Sequence, residues 1–314
     1  MIRLFLFLSA CFFPGFHARI IDADDGHICN KWLDGLKIVI SVSGTYTKVF
    51  QNWLNFYDDA TSSFYASCNR SSRSTLYLLC MDMEAKNFLH AMGQSCSYTM
   101  QTSSSNHSYI SLLKSPFHNL WLARMDVLQS LLLKGYNVLL SDTDALWLRN
   151  PFYDILRFRL SSVHIIASRG SHPIEVTKRL GVSLCMGFIY ITSTPGTTLL
   201  FKELYSKMVN IQRTHKADDQ HELNVLLFKN GLRYTNRTTK NSLTDSLGTM
   251  KYRGQYGMGI LVFPQNRYRR VCKGAPRNEI MSSVVVHCYL PKNSSAKAIG
   301  LAEFGLWRVS NDNL

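Results

Sequence analysis

Two carboxylates stand two residues apart in Ser141-Asp142-Thr143-Asp144, directly after the mostly apolar run Tyr136-Asn137-Val138-Leu139-Leu140. Residues two apart on an extended chain project to the same side, so Asp142 and Asp144 can face one cation while Thr143 points the other way. Their hard oxygens suit Mg²⁺ or Mn²⁺, ions that keep coordination positions for water and for substrate phosphates, so a diphosphate is the ligand this pair would serve. An isolated Asp-x-Asp is more often a polar turn closing a strand. Here the flanks argue for chemistry: an apolar strand precedes it and Ala145-Leu146-Trp147-Leu148-Arg149-Asn150-Pro151-Phe152 follows. A second acidic pair, Asp218-Asp219, opens a helical segment, where carboxylates ordinarily cap the helix or complement its dipole. His287 closes the apolar run Val284-Val285-Val286. Alone it reads as a strand-end core histidine, although imidazole also suits divalent transition metals.

The elements that must hold these groups alternate between strand and helix. Leu36 to Val42 reads as a strand ending at Ser43-Gly44-Thr45, and Tyr46 to Tyr57 carries Val49, Phe50, Trp53, Leu54 and Tyr57 on one helical face. Thr61 to Ser74 is Ser-rich and reads as a loop before the strand Leu76 to Cys80, which delivers Asp82; Gln101 to Ser108 reads as another polar loop. Ser115 is positioned to cap a helix starting at Pro116 and closing at Gly135, which leads straight into the Asp-x-Asp strand. Val163 to Ala167, Gly187 to Ile191, Ile260 to Phe263 and Val284 to His287 read as strands. Pro195 to Asn210, capped by Thr194, Asp218 to Lys229, and Ala296 to Phe304 read as helices. This alternation predicts one α/β domain with a mostly parallel, Rossmann-like sheet flanked by helices, and open sheets of that kind bind ligands at strand carboxyl ends. No internal repeat or linker interrupts it.

The 314 residues are 46% hydrophobic and 18% charged, which excludes disordered and low-complexity classes and supports a packed core. Lys+Arg 35 against Asp+Glu 21 gives +14, a balance favouring anionic partners without choosing among nucleic acid, phosphates, acidic glycans and lipid headgroups. Ile2 to Phe16 is apolar and matches a secretory leader, with a cleaved signal and an uncleaved anchor both open because Phe16-His17-Ala18 is a poor cleavage site. It is short for a spanning helix. The expected organisation is a leader over 1–18, a stem over 19–35 and a catalytic domain over 36–314, in the secretory pathway and most specifically the Golgi lumen. Sequons at Asn69, Asn106, Asn236 and Asn293 fit a lumenal chain. Without Cys11 in the leader seven cysteines remain, so at least one thiol stays unpaired if they oxidise, and the absence of any Cys-x-x-Cys argues against a zinc ribbon.

Leu131 to Phe152, LLLKGYNVLLSDTDALWLRNPF, resembles a segment of the nucleotide-diphospho-sugar transferases grouped as glycosyltransferase family 77. The likeness continues through LYLLCMD at Asp82, MGFIYITST from Gly187, DDQHELN with Asp219, Gln220 and Asn224, VVVHCYL, then Lys297 and FGLW. The resemblance implies a GT-A fold and transfer of a sugar from a nucleotide-diphosphate donor to a glycan or glycoprotein acceptor, with retention of anomeric configuration. It implies Mn²⁺ (or Mg²⁺) held by Asp142, Asp144 and His287, with Asp219 and Gln220 at the reacting carbon. It assigns Ser43, Gly44, Thr45, Arg124, Thr143, Gly187 and Lys297 to the donor, Lys292 being an alternative phosphate contact, and leaves no role for nucleic acid. Two departures bear on how donor hydroxyls are read: Cys185-Met186 stands where a polar pair is expected before Gly187, and Cys288 follows His287. Two other readings compete. A secreted glycan-binding or inactive member would keep the aromatics and the charge without turnover. A haloacid-dehalogenase-like phosphatase also places Asp-x-Asp after an apolar strand, with Asp218-Asp219 as its late acidic pair, but sets that motif near the domain's start.

Overall fold

The computed structural model describes residues 26–98, 116–158, 163–212, 218–234, 248–252, 257–291 and 293–310. In chain order the elements are α1 (Gly26–Asp34), β1 (Leu36–Val42), α2 (Thr47–Ser67), β2 (Leu76–Cys80), α3 (Met83–Ala91), β3 (Ser97–Tyr98), α4 (Pro116–Leu133), β4 (Asn137–Ser141), β5 (Leu146–Trp147), α5 (Phe152–Phe158) and β6 (Ile165–Gly170). There follow α6 (Ile174–Leu180), β7 (Ser183–Ile191), α7 (Pro195–Gln212), α8 (Asp219–Lys229), β8 (Leu232–Tyr234), β9 (Gly248–Tyr252), β10 (Gly259–Val262), β11 (Tyr268–Arg269), α9 (Arg277–Ser282), β12 (Val285–Val286) and α10 (Ser294–Glu303).

Nine strands form one sheet in the order β3-β2-β1-β4-β7-β6-β10-β9-β8. Pairing is parallel from β3 through β4 and between β6 and β10, and antiparallel on both sides of β7 and β9, so only those two run against the rest. This is the mostly parallel α/β architecture expected of a GT-A-type domain. Its central strands are apolar on both faces because both are covered. Ile38, Ile40 and Val42 of β1, Leu139 of β4 and Phe188 and Tyr190 of β7 point into a core shared with α2. Val39, Val138, Leu140, Ile189 and Ile191 point the other way, onto α4, α7 and α8 through Leu128, Phe201 and Leu223. Each such side chain contributes about 1.5–3 kcal/mol on burial.

Two expectations need correction. The Ser-rich stretch from Thr61 is no loop at its start: α2 runs on to Ser67 because Thr61, Phe64 and Tyr65 continue its buried face, with the Thr61 hydroxyl donating to the Tyr57 carbonyl at 2.7 Å. The serines occupy mainly its outer face. Part of the expected stem is also core, since α1 buries Trp32 and Leu33 and sets the Trp32 ring 5.2 Å from Phe152. The leader, Asn106, Asn236, Ser115, Lys292 and the expected loop Gln101 to Ser108 fall outside the described residues. Asn69 and Asn293 are exposed, and Asn293 caps α10 through its side-chain oxygen. No helix among the described residues is long and apolar enough to cross a membrane.

A second, three-stranded sheet, β11-β12-β5, positions the chemistry. It pairs Leu146 and Trp147, just past the acidic motif, with Val286 and Val285, just ahead of His287. Trp147 is fully buried among Trp53, Tyr57, Phe152 and Phe188, its ring centroid 5.1–5.9 Å from theirs. Two indoles brace the motif turn: Trp53 Nε1 donates to the Ala145 carbonyl at 3.1 Å and Trp147 Nε1 to Ser141 Oγ at 3.2 Å. The turn is thereby fixed at both of its ends.

Candidate active site

At the carboxyl end of β4 the chain leaves the sheet into Asp142, whose amide donates to the Gly187 carbonyl on β7 at 2.8 Å. Asp144 lies one residue beyond Thr143 and is 4% exposed; Thr143 is buried as well. His287 arrives from β12, its Nε2 3.3 Å from Asp144 Oδ1 and 3.7 Å from Asp142 Oδ2. One ligand atom from each of Asp142, Asp144 and His287 falls within 4.8 Å of the others. Two carboxylates and an imidazole are a donor set for Mn²⁺ or Mg²⁺. The backbone leaves room beside them: a Cβ added at Gly187 would fall 2.6 Å from Asp142 Oδ2 and closer still to His287 Cε1. The residues present fit such an ion.

The electrostatics are those of a site rich in paired charge. Burial opposes ionisation of Asp144, but His287 and Lys297 overcome it and hold that carboxyl far below the usual range. Lys297, from α10, forms an ion pair with Asp144. Burial and the Arg270 charge push His287 down, yet Asp144 and hydrogen bonds to Asp144 and Cys185 raise it to about 9. Arg124, on α4, is the hub of the opposite wall. Its Nη1 meets Asp142 Oδ1 at 2.6 Å and its Nη2 pairs with Asp219. Burial raises Asp219 to about 6 in spite of Arg124.

Asp219 and Gln220 begin α8, whose N-cap is Asp218, its side chain accepting from the His221 amide at 2.8 Å. Asn224, one turn on, fixes that helix to the sheet: its side chain accepts from the Leu184 amide at 2.7 Å and donates to the Leu184 carbonyl at 2.9 Å. Gln220 accepts from the Met186 amide at 3.3 Å and donates to the His172 carbonyl at 3.1 Å. A cleft of about 410 Å³ opens here, and Arg124, Asp142, Gly187, Asp219, Gln220 and His287 all line it.

The remaining expected residues lie off that lining. Asp144 is linked to Asp142 through His287, and Lys297 pairs with Asp144. Ser43, Gly44 and Thr45 close β1, where the Gly44 amide is engaged by both Asp82 oxygens at 2.9 Å. Tyr46 beside them places its ring 5.6 Å from Lys297 Nζ, linking the β1 end to the acidic site. Six further lining residues had no site assignment from sequence: Trp121, His172, Cys185, Met186, Asp218 and Arg270. The odd cysteine count did signal a free thiol, and Cys185 is the free one among the described residues, beside the disulfides Cys80–Cys96 and Cys272–Cys288. Its Sγ lies 3.7 Å from His287 Nδ1. Burial would raise the thiol, but Arg270 and the His287 hydrogen bond bring it to about 7.

Replacing Gly187 with Ala drives a methyl group between His287 and Asp142. We expect Mn²⁺ affinity, followed by titration calorimetry, to fall about 10- to 100-fold, as when groups that orient ligands are disturbed. Unchanged affinity would show that the ligands do not converge at Gly187.

Residues 72–289 match the model of a family described as nucleotide-diphospho-sugar transferase. Among curated proteins, the Arabidopsis thaliana UDP-D-xylose:L-fucose alpha-1,3-D-xylosyltransferase 3 is 33% identical over 124 residues, covering 36% of this chain and 32% of that protein. The xylosyltransferase 1 of the same plant is 32% identical over 123 residues, 36% of this chain and 34% of its own. The matched stretch thus spans about a third of these relatives. Among solved structures, a complex of the galactosyltransferase LgtC with donor and acceptor sugar analogues aligns at TM-score 0.46 and 11% identity, over 88% of this chain and 98% of that one. Mouse xyloside xylosyltransferase 1 aligns at TM-score 0.41 and 10% identity, over 80% and 97%.

Proposed function

The chain belongs to the nucleotide-diphospho-sugar transferase family, and from that premise we propose that it is a glycosyltransferase that moves a sugar from a nucleotide-diphosphate donor to a glycan or glycoprotein acceptor. The observation that carries this reading is the convergence of Asp142, Asp144 and His287 at the end of β4, beside a cleft lined by Asp219 and Gln220. Family membership overturns the phosphatase alternative, and the described residues give no support to a non-enzymatic glycan binder.

In the proposed mechanism Asp142, Asp144 and His287 hold Mn²⁺ or Mg²⁺. When bound, that ion supplies Lewis-acid stabilisation of the charge that develops on a leaving diphosphate. Lys297, paired with Asp144, adds positive charge to the phosphate end of the site, and Ser43, Gly44 and Thr45 at the β1 end offer the nucleotide its seat. Arg124 orients Asp142 and Asp219 together, so one guanidinium sets the diphosphate end and the sugar end of the cleft in register. Asp219 places a carboxylate, and Gln220 an amide, where positive charge builds on the anomeric carbon. Retention of configuration is part of the proposal on the strength of the family resemblance.

UDP-xylose is the first donor to test, since both plant relatives carry that sugar nucleotide in their names. The purified chain, offered UDP- and GDP-sugars with Mn²⁺, is expected to release nucleoside diphosphate from one of them and to stop when EDTA is added. Absence of release from every donor, in protein shown to be folded, would overturn the reading. Proton NMR of the first-formed product reports the anomeric outcome. We assign the enzyme to the secretory pathway, in the Golgi lumen, with residues 1–18 as leader or anchor; the two disulfides support an oxidising compartment.

A further inference from the structure

Three arginines stand in Arg267-Tyr268-Arg269-Arg270, and packing gives them different fates. Arg267 pairs with Asp154 at 2.8 Å and Arg269 with Glu279 at 3.0 Å. Arg270 turns inward. It is 8% exposed, it lines the cleft, and among the described residues no carboxylate forms an ion pair with it. Its Nε and Nη1 are buried without a hydrogen-bond partner. The guanidinium rests 4.5 Å from the ring centroid of Tyr289, whose hydroxyl is tied to Ser171 Oγ at 2.7 Å.

A cation taken out of water without a carboxylate is costly, and the face of one aromatic ring offsets only part of that cost. The other cations of the site are engaged: Arg124 with Asp142 and Asp219, Lys297 with Asp144. Arg270 is therefore the cleft arginine with charge left for a ligand. Its place is also distinct. Asp142 and Asp144 meet His287 at Nε2, whereas Cys185, which lines the same cleft as Arg270, meets it at Nδ1.

We propose that Arg270 is a donor-binding residue whose guanidinium receives an oxyanion of the donor, either a phosphate oxygen or the carboxylate of an acidic sugar, within the cleft it lines with Cys185 and His287. The proposal rests on the cleft being the donor site, and it adds a determinant of donor choice that the acidic motif does not contain.

Titration calorimetry on the full chain with Mn²⁺ separates the possibilities, using UDP, UDP-glucose and UDP-glucuronic acid as probes with wild type, Arg270→Gln, Arg270→Lys and Tyr289→Leu. Arg270→Gln removes a charge-assisted hydrogen bond to the donor and is expected to weaken binding about 10- to 100-fold. Weakening with all three probes identifies phosphate; weakening with UDP-glucuronic acid alone identifies a sugar carboxylate. Arg270→Lys should recover part of the affinity, because it keeps the charge without the planar donors. The melting temperature of Arg270→Gln should hold or rise, since an unpaired buried charge is removed; a structural role predicts a fall. Tyr289 is half exposed, so Tyr289→Leu folds whatever Arg270→Gln does, and without its supporting ring the same probe should bind several-fold more weakly. Wild-type affinity for every probe in both Arg270→Gln and Tyr289→Leu, or in Tyr289→Leu alone if the other does not fold, overturns the proposal. Failure of wild type to bind any of them, and to bind GDP tested alongside, overturns the donor-site reading itself.

Discussion

Asp142→Asn is expected to lower metal-dependent release of nucleoside diphosphate by about 10²- to 10³-fold, the scale on which a single group that stabilises transition-state charge is felt. The change keeps the shape of the side chain and one of its oxygens while removing the negative charge. Asp142 is part-exposed and its amide stays bonded to Gly187, so the fold should survive and melting should shift little. Asp144→Asn should match it in activity but differ in stability, because Lys297 would be left in a buried site without its carboxylate partner. Metal affinity separates the proposed role from a general defect: Mn²⁺ binding followed by EPR should fall in both variants. Wild-type turnover together with wild-type Mn²⁺ binding in Asp142→Asn would remove the acidic pair from the mechanism.

The largest stability effect is expected from Arg124→Met, at about 3–5 kcal/mol, the cost of removing one member of a buried ionic group. Methionine fills much of the volume but leaves Asp219, 2% exposed, without its partner. Urea denaturation at several pH values adds a signature. Burial already raises Asp219 to about 6 with Arg124 present, and without the guanidinium it must rise further. A carboxyl raised on folding is protonated more readily in the folded chain than in the unfolded one. Its contribution is fully present below the unfolded value near ~3.9 and is lost as pH rises through the folded value. The deficit of Arg124→Met should therefore shrink as pH falls from 7 to 5. A deficit under about 1 kcal/mol that ignores pH would mean that Arg124 does not hold the two carboxylates together.

Much of this was legible in the residues because physics wrote it locally. Runs such as Leu36 to Val42 and Val138 to Leu140 read as strands because both faces of the sheet are covered, and the start of α8 was marked by Asp218, which does cap it. What escaped depends on partners far along the chain. The strands β5 and β11 are two residues long, too short for periodicity, and exist because each pairs with β12, itself foreseen as the strand Val284 to His287. The tail of α2 was hidden by serines that face solvent, and α1 by its place in a stretch expected to be a stem. The joining of His287 to Asp144 came from the family resemblance, not from spacing. Arg270 could be read only as one of a basic cluster, Arg267 to Arg270, serving the acceptor or solvation, for a different reason: three arginines in four residues look alike until packing pairs two of them and buries the third.

The small sheet that joins β5 to β12 also orders events in time. During synthesis Asp142 and Asp144 leave the ribosome long before His287 and Lys297, so for much of translation the motif strand exists without the imidazole or the ammonium that later face it. A chain released between Trp147 and Val285 would still display the apolar strand and both aspartates, and by its motif it would look complete. It would hold Arg124 against Asp142 with nothing opposite Asp144, and Trp147 would lose the strand that pairs with it. Translation past the last β-strand is what turns a recognisable motif into a site.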